Sequence, residues 1–509
     1  MCASPCIGRL VPAFLFRSAI VLACIAVLAA ATARADADWP MVHGPAGNTV
    51  APRYGHELVD DLAHAKLRWK SQTTDLGYGK GSVSGYIANL VRWPGHPGSW
   101  SAPIVADGKV FVTSFRPSGD AWARHHPMLK GDKGERWMNE NADKLKANLR
   151  IAGDDLLSAI DQQPGATVWS SIEAGNGINR YMGKREGFGP SAAYHDGRVF
   201  SLGTTGRLYA YDAKTGKKLW ETHIGPAHER MEEKKREALA ELTLADDFGW
   251  DVSLVVTKGV LVVPMFDHGT DMSLRGVDVN TGQTLWQLEK VTSRYATPAL
   301  TKQDGRTYLI TATRSGELRM ISPADGKVLW KVDGLGPLWS TPATSDTHVI
   351  VNVNSKTMGS KDKPFCLPAA YRISVKGAER AWTMPDDRTV WFEGHMDSVA
   401  RRRTFIREGK VYHYAKTKDE NNKRYQTLSI FDEKTGKPLL QKTDMNGDSF
   451  FIPAEDRLIH VIDGGHSDRL TMSLYPAMPS ASGEFKQLCD AWKPPHQSTT
   501  GYEVFMEIP

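Results

Sequence analysis

The sequence predicts an all-β fold in which a four-stranded unit repeats around a ring, seven to eight times. Three observations predict it. Residues 197–220, GRVFSLGTTGRLYAYDAKTGKKLW, hold two short apolar runs, Val199–Leu202 and Leu208–Tyr211, on either side of a Gly-Thr-Thr-Gly turn. A second turn, Asp-Ala-Lys-Thr-Gly, then leads into a strand ending at Leu219 and Trp220; Asp212 can accept turn amides there, and Gly216 can take a positive φ. The second observation is that this turn and strand return as VNTGQTLW ending at Trp286, PADGKVLW at Trp330 and EKTGKPLL at Leu440, with looser copies at Trp169, Trp382 and Trp69. The third is a small-residue opening ahead of a further strand, as at Ser101, Ser191, Ala296 and Ser340.

Successive indoles lie 44 residues apart from Trp286 to Trp330 and 51 from Trp169 to Trp220, the length of a four-stranded β-propeller blade. A lone sheet cannot bury both faces, whereas radial stacking does so, with each Trp wedged between neighbours. The turn D-x-x-T-G-x-x-L-W, the S-[AT]-P openings and the segment DWPMVHGPAGNT at Asp38–Thr49 resemble the pyrroloquinoline-quinone-like (PQQ-like) β-propeller repeat proteins over nearly all of the mature chain. The resemblance implies the fold. It leaves function open, because the family includes quinone-dependent dehydrogenases, outer-membrane assembly scaffolds and secreted members of unknown role.

Taken in order, residues 1–35 read as a secretory signal. Arg9 and Arg17 precede the apolar run Ala19–Ala31, and Ala33-Arg34-Ala35 offers a cleavage site. The predicted localisation is therefore periplasmic or extracellular. Val21-Leu22-Ala23-Cys24 loosely matches a lipoprotein box, which keeps lipid anchoring at Cys24 as an alternative. No later apolar run reaches the roughly 20 residues of a membrane span. Residues 36–509 are expected to form a single propeller domain. Asp38–Thr49 is a strap leading to a strand at Leu67–Trp69, the outermost strand of a unit completed by the C-terminus, so that the ring closes without edges.

Two helical insertions are expected, at about 118–153 and 226–247. The first places Trp137, Leu145 and Leu149 at spacings that share a face; the second places Ala238, Leu239 and Leu242 on the apolar side of a charged helix. Both cap the toroid or recruit a partner. Ser449 onward, through GEFKQLCDAW, supplies a seventh unit, and the last residues look like the opening strand of an eighth. Eight blades with a deficient last one is the favoured count over seven with an irregular closure.

Without residues 1–35 the chain loses three Arg and no acid, and the net charge falls from +5 to +2. No clustered basic face argues for nucleic acid. Cys366 and Cys489 are the cysteines left after the signal, and as they fall in different units two free thiols are expected over a disulfide. No G-x-S-x-G, H-E-x-x-H or phosphate loop occurs.

A bulky residue recurs ahead of the inner strands: Trp100, Pro190, Trp250, Tyr295, Trp339, His395 and Phe450. Innermost strands run beside the axis, so Trp100, Trp250, Tyr295, Trp339, His395 and Phe450 are candidates for a ligand-binding rim suited to a planar cofactor, a sugar or a peptide side chain. The plainer reading packs these rings between strands. Arg180, Tyr181, Lys184, Arg185 and Phe188 add polar contacts to the same mouth. The resemblance to quinone dehydrogenases demands calcium or lanthanide ligands, a carboxylate base and, in many members, a vicinal disulfide. The chain has no Cys-Cys pair, and Asp251 and Asp397 are its only acids suitably placed, each also explained by turn capping. His125-His126 and Arg401-Arg402-Arg403 read as solvated surface rather than as metal or anion sites.

The expected function is a non-catalytic binding or assembly platform for a protein or cell-envelope ligand, without a bound cofactor. A quinone dehydrogenase using PQQ with calcium and a carbohydrate-binding propeller are the alternatives.

Overall fold

The computed structural model describes residues 38–50, 58–65, 69, 71, 101–119, 131–148, 152–178, 190–203, 205–224, 252–265, 271–293, 296–338, 340–354, 366–384, 390–391, 404–418, 424–442, 449–462 and 471–493. They form seven antiparallel sheets in chain order. Blade 1 comprises Ile104–Ala106, Lys109–Pro117, Ala152–Asp161 and Thr167–Ile178. Blade 2 comprises Ala193–His195, Arg198–Leu202, Arg207–Asp212 and Lys218–His223. Blade 3 runs from Val255–Thr257 through Val260–Pro264 and Asp271–Asp278 to Thr284–Ser293. Blade 4 runs from Ala299–Gln303 through Arg306–Ala312 and Leu318–Ile321 to Val328–Val332. Blade 5 holds Ala343–Thr344, His348–Asn354, Cys366–Ser374 and Gly377–Thr383.

Blade 6 has a doubled first position. Val390–Trp391 and Thr404–Arg407 both pair with Lys410–Lys418, which is followed by Arg424–Asp432 and Pro438–Lys442. Blade 7 has three strands, Ser449–Ala454, Arg457–Ile462 and Thr471–Pro476. The first strands of blades 1 and 2, 2 and 3, 4 and 5, and 5 and 6 lie side by side, as inner-wall strands of a ring do. One helix, α1 (Gly131–Asn148), emerges between the second and third strands of blade 1 with a break at Asn141, within the first expected insertion. Residues 226–247 lie outside the described residues. No helix among the described residues is long and apolar enough to cross a membrane.

The indoles lock one blade to the next. Trp169 Nε1 donates to Ala213 O (3.2 Å), Trp220 to Val279 O (3.0 Å), Trp286 to Pro323 O (2.8 Å), Trp330 to Ser374 O (2.8 Å) and Trp382 to Glu433 O (2.8 Å). Each acceptor lies in or beside the outer turn of the following blade. At four of these five seams the ring packs flat on the turn glycine: a Cβ at Gly216, Gly282, Gly326 or Gly436 would approach Trp169, Trp220, Trp286 or Trp382 to within 2.9 Å or less. The same glycines hold φ between +69° and +73°, a conformation that disfavours any side chain. Turn chemistry is therefore dictated twice, by backbone and by the neighbour's indole. Asp212, Asp278 and Asp432 close these turns by accepting the amide and hydroxyl of the Thr three residues on.

The small-residue openings have an equally specific reason. Ala102 N donates to Ser191 Oγ (2.8 Å), Ser191 N to Ser253 Oγ (3.0 Å) and Ser253 N to Thr297 Oγ1 (3.0 Å). Each hydroxyl thus satisfies a buried amide of the blade before it. Further out, Thr344 Oγ1 donates to Leu300 O and Thr301 Oγ1 to Ser345 O, joining blades 4 and 5.

Of the expected closing strand Leu67–Trp69, only Trp69 is among the described residues. Trp69 lies outside any strand, yet its indole donates to Gln162 O (2.6 Å) and packs on Gly165 of blade 1, as the terminal Trp of a preceding blade would. The short 3-10 turn Leu62–His64 docks on blade 7, where Leu62 packs with Ile459, Val461, Met472 and Leu474. Leu62 and Trp69 thereby contact blade 7 and blade 1 respectively. The fourth strand expected for blade 7 is also broken: Leu488 N donates to Leu474 O and Trp492 pairs with Met472, but a Ser480–Glu484 turn interrupts the ladder. The turn-forming residues Ser480, Ser482 and Gly483 explain the interruption.

Candidate functional site

The strap, residues 38–50, contacts the inner strands of several blades. Trp39 pairs with Val105 of blade 1, and Pro40 O accepts Tyr194 N of blade 2. Gly47 packs on Leu300 of blade 4, and Val50 reaches the aromatic cluster of blades 6 and 7. A segment that touches blades on opposite parts of the ring must cross the axis. Met41, Val42 and His43 are buried beneath it. The Trp39 and Pro40 contacts fall beside the Asp107 and His195 hairpins, and the Gly47 contact falls near the start of the first strand of blade 4.

Of the rim candidates, only Phe450 falls among the described residues. Trp100, Trp250, Tyr295, Trp339 and His395 lie outside the described residues, as do Arg180, Tyr181, Lys184, Arg185, Phe188, Asp251, Asp397, His125, His126 and Arg401–Arg403. Phe450 is half-buried in the first strand of blade 7 and packs on the cluster around Leu62. Pro190 is buried, and its carbonyl accepts the Thr113 hydroxyl (3.1 Å). Cys489 is a free thiol against the same cluster as Phe450.

Among the described residues, polar chemistry concentrates at the seam between blades 1 and 2. The last turns of the strands Lys109–Pro117 and Arg198–Leu202 and the first residues of Ala152–Asp161 frame a cavity of about 20 Å³ lined by Thr113, Ser114, Asp155, Ser201, Gly203 and Tyr209, among others. Asp154 meets the Arg116 guanidinium at 2.8 Å and accepts Gly175 N at 2.8 Å. Burial by itself would raise the Asp154 carboxyl, but these donors outweigh it and hold it below the usual carboxylate range. Asp155 is buried between two glycines: a Cβ at Gly203 would fall 2.2 Å from its Oδ2, and one at Gly177 3.0 Å from its Oδ1. Burial, then the charges of Asp155 and Glu173, push the Tyr209 phenol far up; Tyr211, which donates to Glu173 (3.0 Å), is raised mainly by burial as well. Both phenols are neutral donors at any physiological pH. Lys218 holds Glu173 and Glu221 at 2.8 and 2.9 Å on the outer side.

This cluster was not singled out by motif reasoning. The adjacent acids Asp154-Asp155 at a strand start and the alternating Tyr209 and Tyr211 were the available signal, but alternation in a repeat of aromatic strands reads first as core.

A second buried group joins blades 5 and 6. Glu433 accepts from Thr347 Oγ1 (3.1 Å) and Ser345 Oγ, and lies 3.1 Å from His348 Nδ1. Burial would raise this carboxyl, and the hydrogen bonds from His348 and Ser345 hold it low instead.

A planar quinone does not fit either place. The blade 1–2 cavity has room for about one water molecule, and the Glu433 oxygen is saturated by the donors above. A quinone site would have to be built from the mouth residues outside the described set.

The family model described as outer membrane protein assembly factor BamB matches residues 153–436. A polyvinylalcohol dehydrogenase from a Pseudomonas species is 24% identical over 376 residues, covering 59% of this chain and 55% of that protein. The chain spans about half the length of that curated relative. Among solved structures, a quinohemoprotein alcohol dehydrogenase from Comamonas testosteroni superposes with a TM-score of 0.51 at 12% identity, over 90% of this chain and 74% of the other. BamB from Moraxella catarrhalis gives a TM-score of 0.40 at 12% identity, over 66% and 82%. At these identities the solved structures speak to fold alone.

Proposed function

The chain belongs to the PQQ-like β-propeller family described as outer membrane protein assembly factor BamB, and from that premise we propose that it is exported and serves as a non-catalytic binding or assembly platform in the cell envelope. The observation that carries this reading is the strap across the axis. With residues 38–50 laid across the inner strands of blades 1, 2 and 4 and the blades locked by indole and hydroxyl contacts, the free presenting face is the one where α1 emerges from blade 1. Rigid seams beneath variable loops are the arrangement of a presenting surface. The ligand is a protein or envelope component met by the aromatic residues Trp100, Trp250, Tyr295, Trp339, His395 and Phe450.

A photo-crosslinking residue placed at Trp250 or Trp339 tests this in intact cells. The reading predicts one reproducible adduct from those positions and none from Lys302, exposed in the first strand of blade 4, or Lys376, on a turn of blade 5. Equal adducts from both sets would overturn it.

The quinone dehydrogenase reading has one observation in its favour, the polyvinylalcohol dehydrogenase relative. It predicts that PQQ added with calcium quenches the tryptophan fluorescence saturably at one equivalent. No saturable quenching removes it.

A further inference from the structure

We propose that the cavity between blades 1 and 2 is a binding site for a single water molecule, which bolts the first blade to the second. Three features of the cavity point to that ligand. Its volume of about 20 Å³ is enough to hold a water molecule. The Ser114 hydroxyl, buried to 93%, lines it without a protein hydrogen-bond partner, and the Tyr209 hydroxyl, buried to 99%, has no hydrogen bond of normal geometry. These two come from different blades, Ser114 from the second strand of blade 1 and Tyr209 from the third strand of blade 2. Leaving the Ser114 hydroxyl without a partner costs roughly 1–3 kcal/mol, which a bridging water removes.

The donor and acceptor count closes. The neutral Tyr209 phenol donates to the water oxygen, and the water donates to Ser114 Oγ and to the Asp155 carboxylate on the same wall, giving three partners. Gly203 belongs to the site for a steric reason: a Cβ there would press on Asp155 Oδ2 and close the wall. A metal ion fits less well, since one carboxylate and a few hydroxyls fall short of the six to eight oxygens that calcium takes.

Crystals of the mature protein that resolve ordered solvent should show one peak within about 3 Å of both Ser114 Oγ and Tyr209 Oη. Tyr209→Phe should weaken the peak and lower the melting temperature. Ser114→Ala combined with Tyr209→Phe removes two of its three partners and should weaken the peak further than either change alone. An empty cavity in the unaltered protein overturns the proposal. So does a peak with several oxygen contacts near about 2.4 Å that appears only in calcium-containing crystals, which identifies a cation. If the variants do not fold, the unaltered crystal alone decides.

Discussion

The seam between blades 3 and 4 and the junction between blades 7 and 1 perform the same task by different means. At the first, Trp286 packs on Gly326, donates its indole proton to Pro323 O and stays 8% exposed. At the second, the packing is divided among Leu62, Trp69 and the Arg457–Asp60 pair, carried on a segment with no described strand. The repeat stabilises the ring locally at each seam, and closure depends on a few contacts made by residues far apart in the chain. One would therefore expect the ring to open first at the junction.

The largest effect should come from breaking a locked seam. Trp286→Ala removes a buried ring and its hydrogen bond and is expected to cost about 3–5 kcal/mol in denaturant unfolding. At the junction, Leu62→Ala should cost about 2–4 kcal/mol by the same measurement, and hydrogen exchange should then show blade 7 losing protection while blade 3 keeps it. If both variants exchange alike across all blades, the distinction between seam and junction fails.

Smaller effects sharpen the comparison. Ser191→Ala leaves the buried Ala102 amide without an acceptor and should lower stability by about 1–3 kcal/mol. For Glu433 the folded carboxyl is held below its ordinary value, so the stability it contributes is present at neutral pH and lost as pH falls through the folded value. Glu433→Gln should therefore flatten the acid limb of the melting curve while weakening the protein at neutral pH. Arg457→Ala breaks a pair whose Asp60 partner is 66% exposed, and the change should stay below about 1 kcal/mol.

The sequence made the repeat plain because its signals coincide. Each D-x-x-T-G-x-x-L-W copy carries a turn acid, a left-handed glycine and an indole, and the structure uses all three at one point. Where a copy lacks one part, as at Leu440, the seam persists through packing against Phe451 and Tyr475 of blade 7. Segment 60–69 was less legible. Its strand was inferred from the Leu67–Trp69 pattern; of that pattern the described Trp69 sets its indole in the Gly165 turn. The interruption of the last strand of blade 7 was written in Ser480–Glu484, where turn propensity outweighs the need for a fourth strand.

The blade 1–2 site was illegible for a different reason. Ser114, Asp155 and Tyr209 are separated by up to 95 positions, and no local pattern marks residues that meet only across a seam. The strap, by contrast, was announced by DWPMVHGPAGNT, and its passage across the axis gives it a consequence for function.

The central claim is that this ring presents a ligand surface and performs no redox chemistry. Its most direct test supplies the purified mature protein with PQQ, calcium, primary and secondary alcohols including polyvinyl alcohol, and a dye that accepts electrons. The account predicts dye reduction at the rate of the protein-free mixture. Sustained, quinone-dependent reduction with any of these substrates would contradict it.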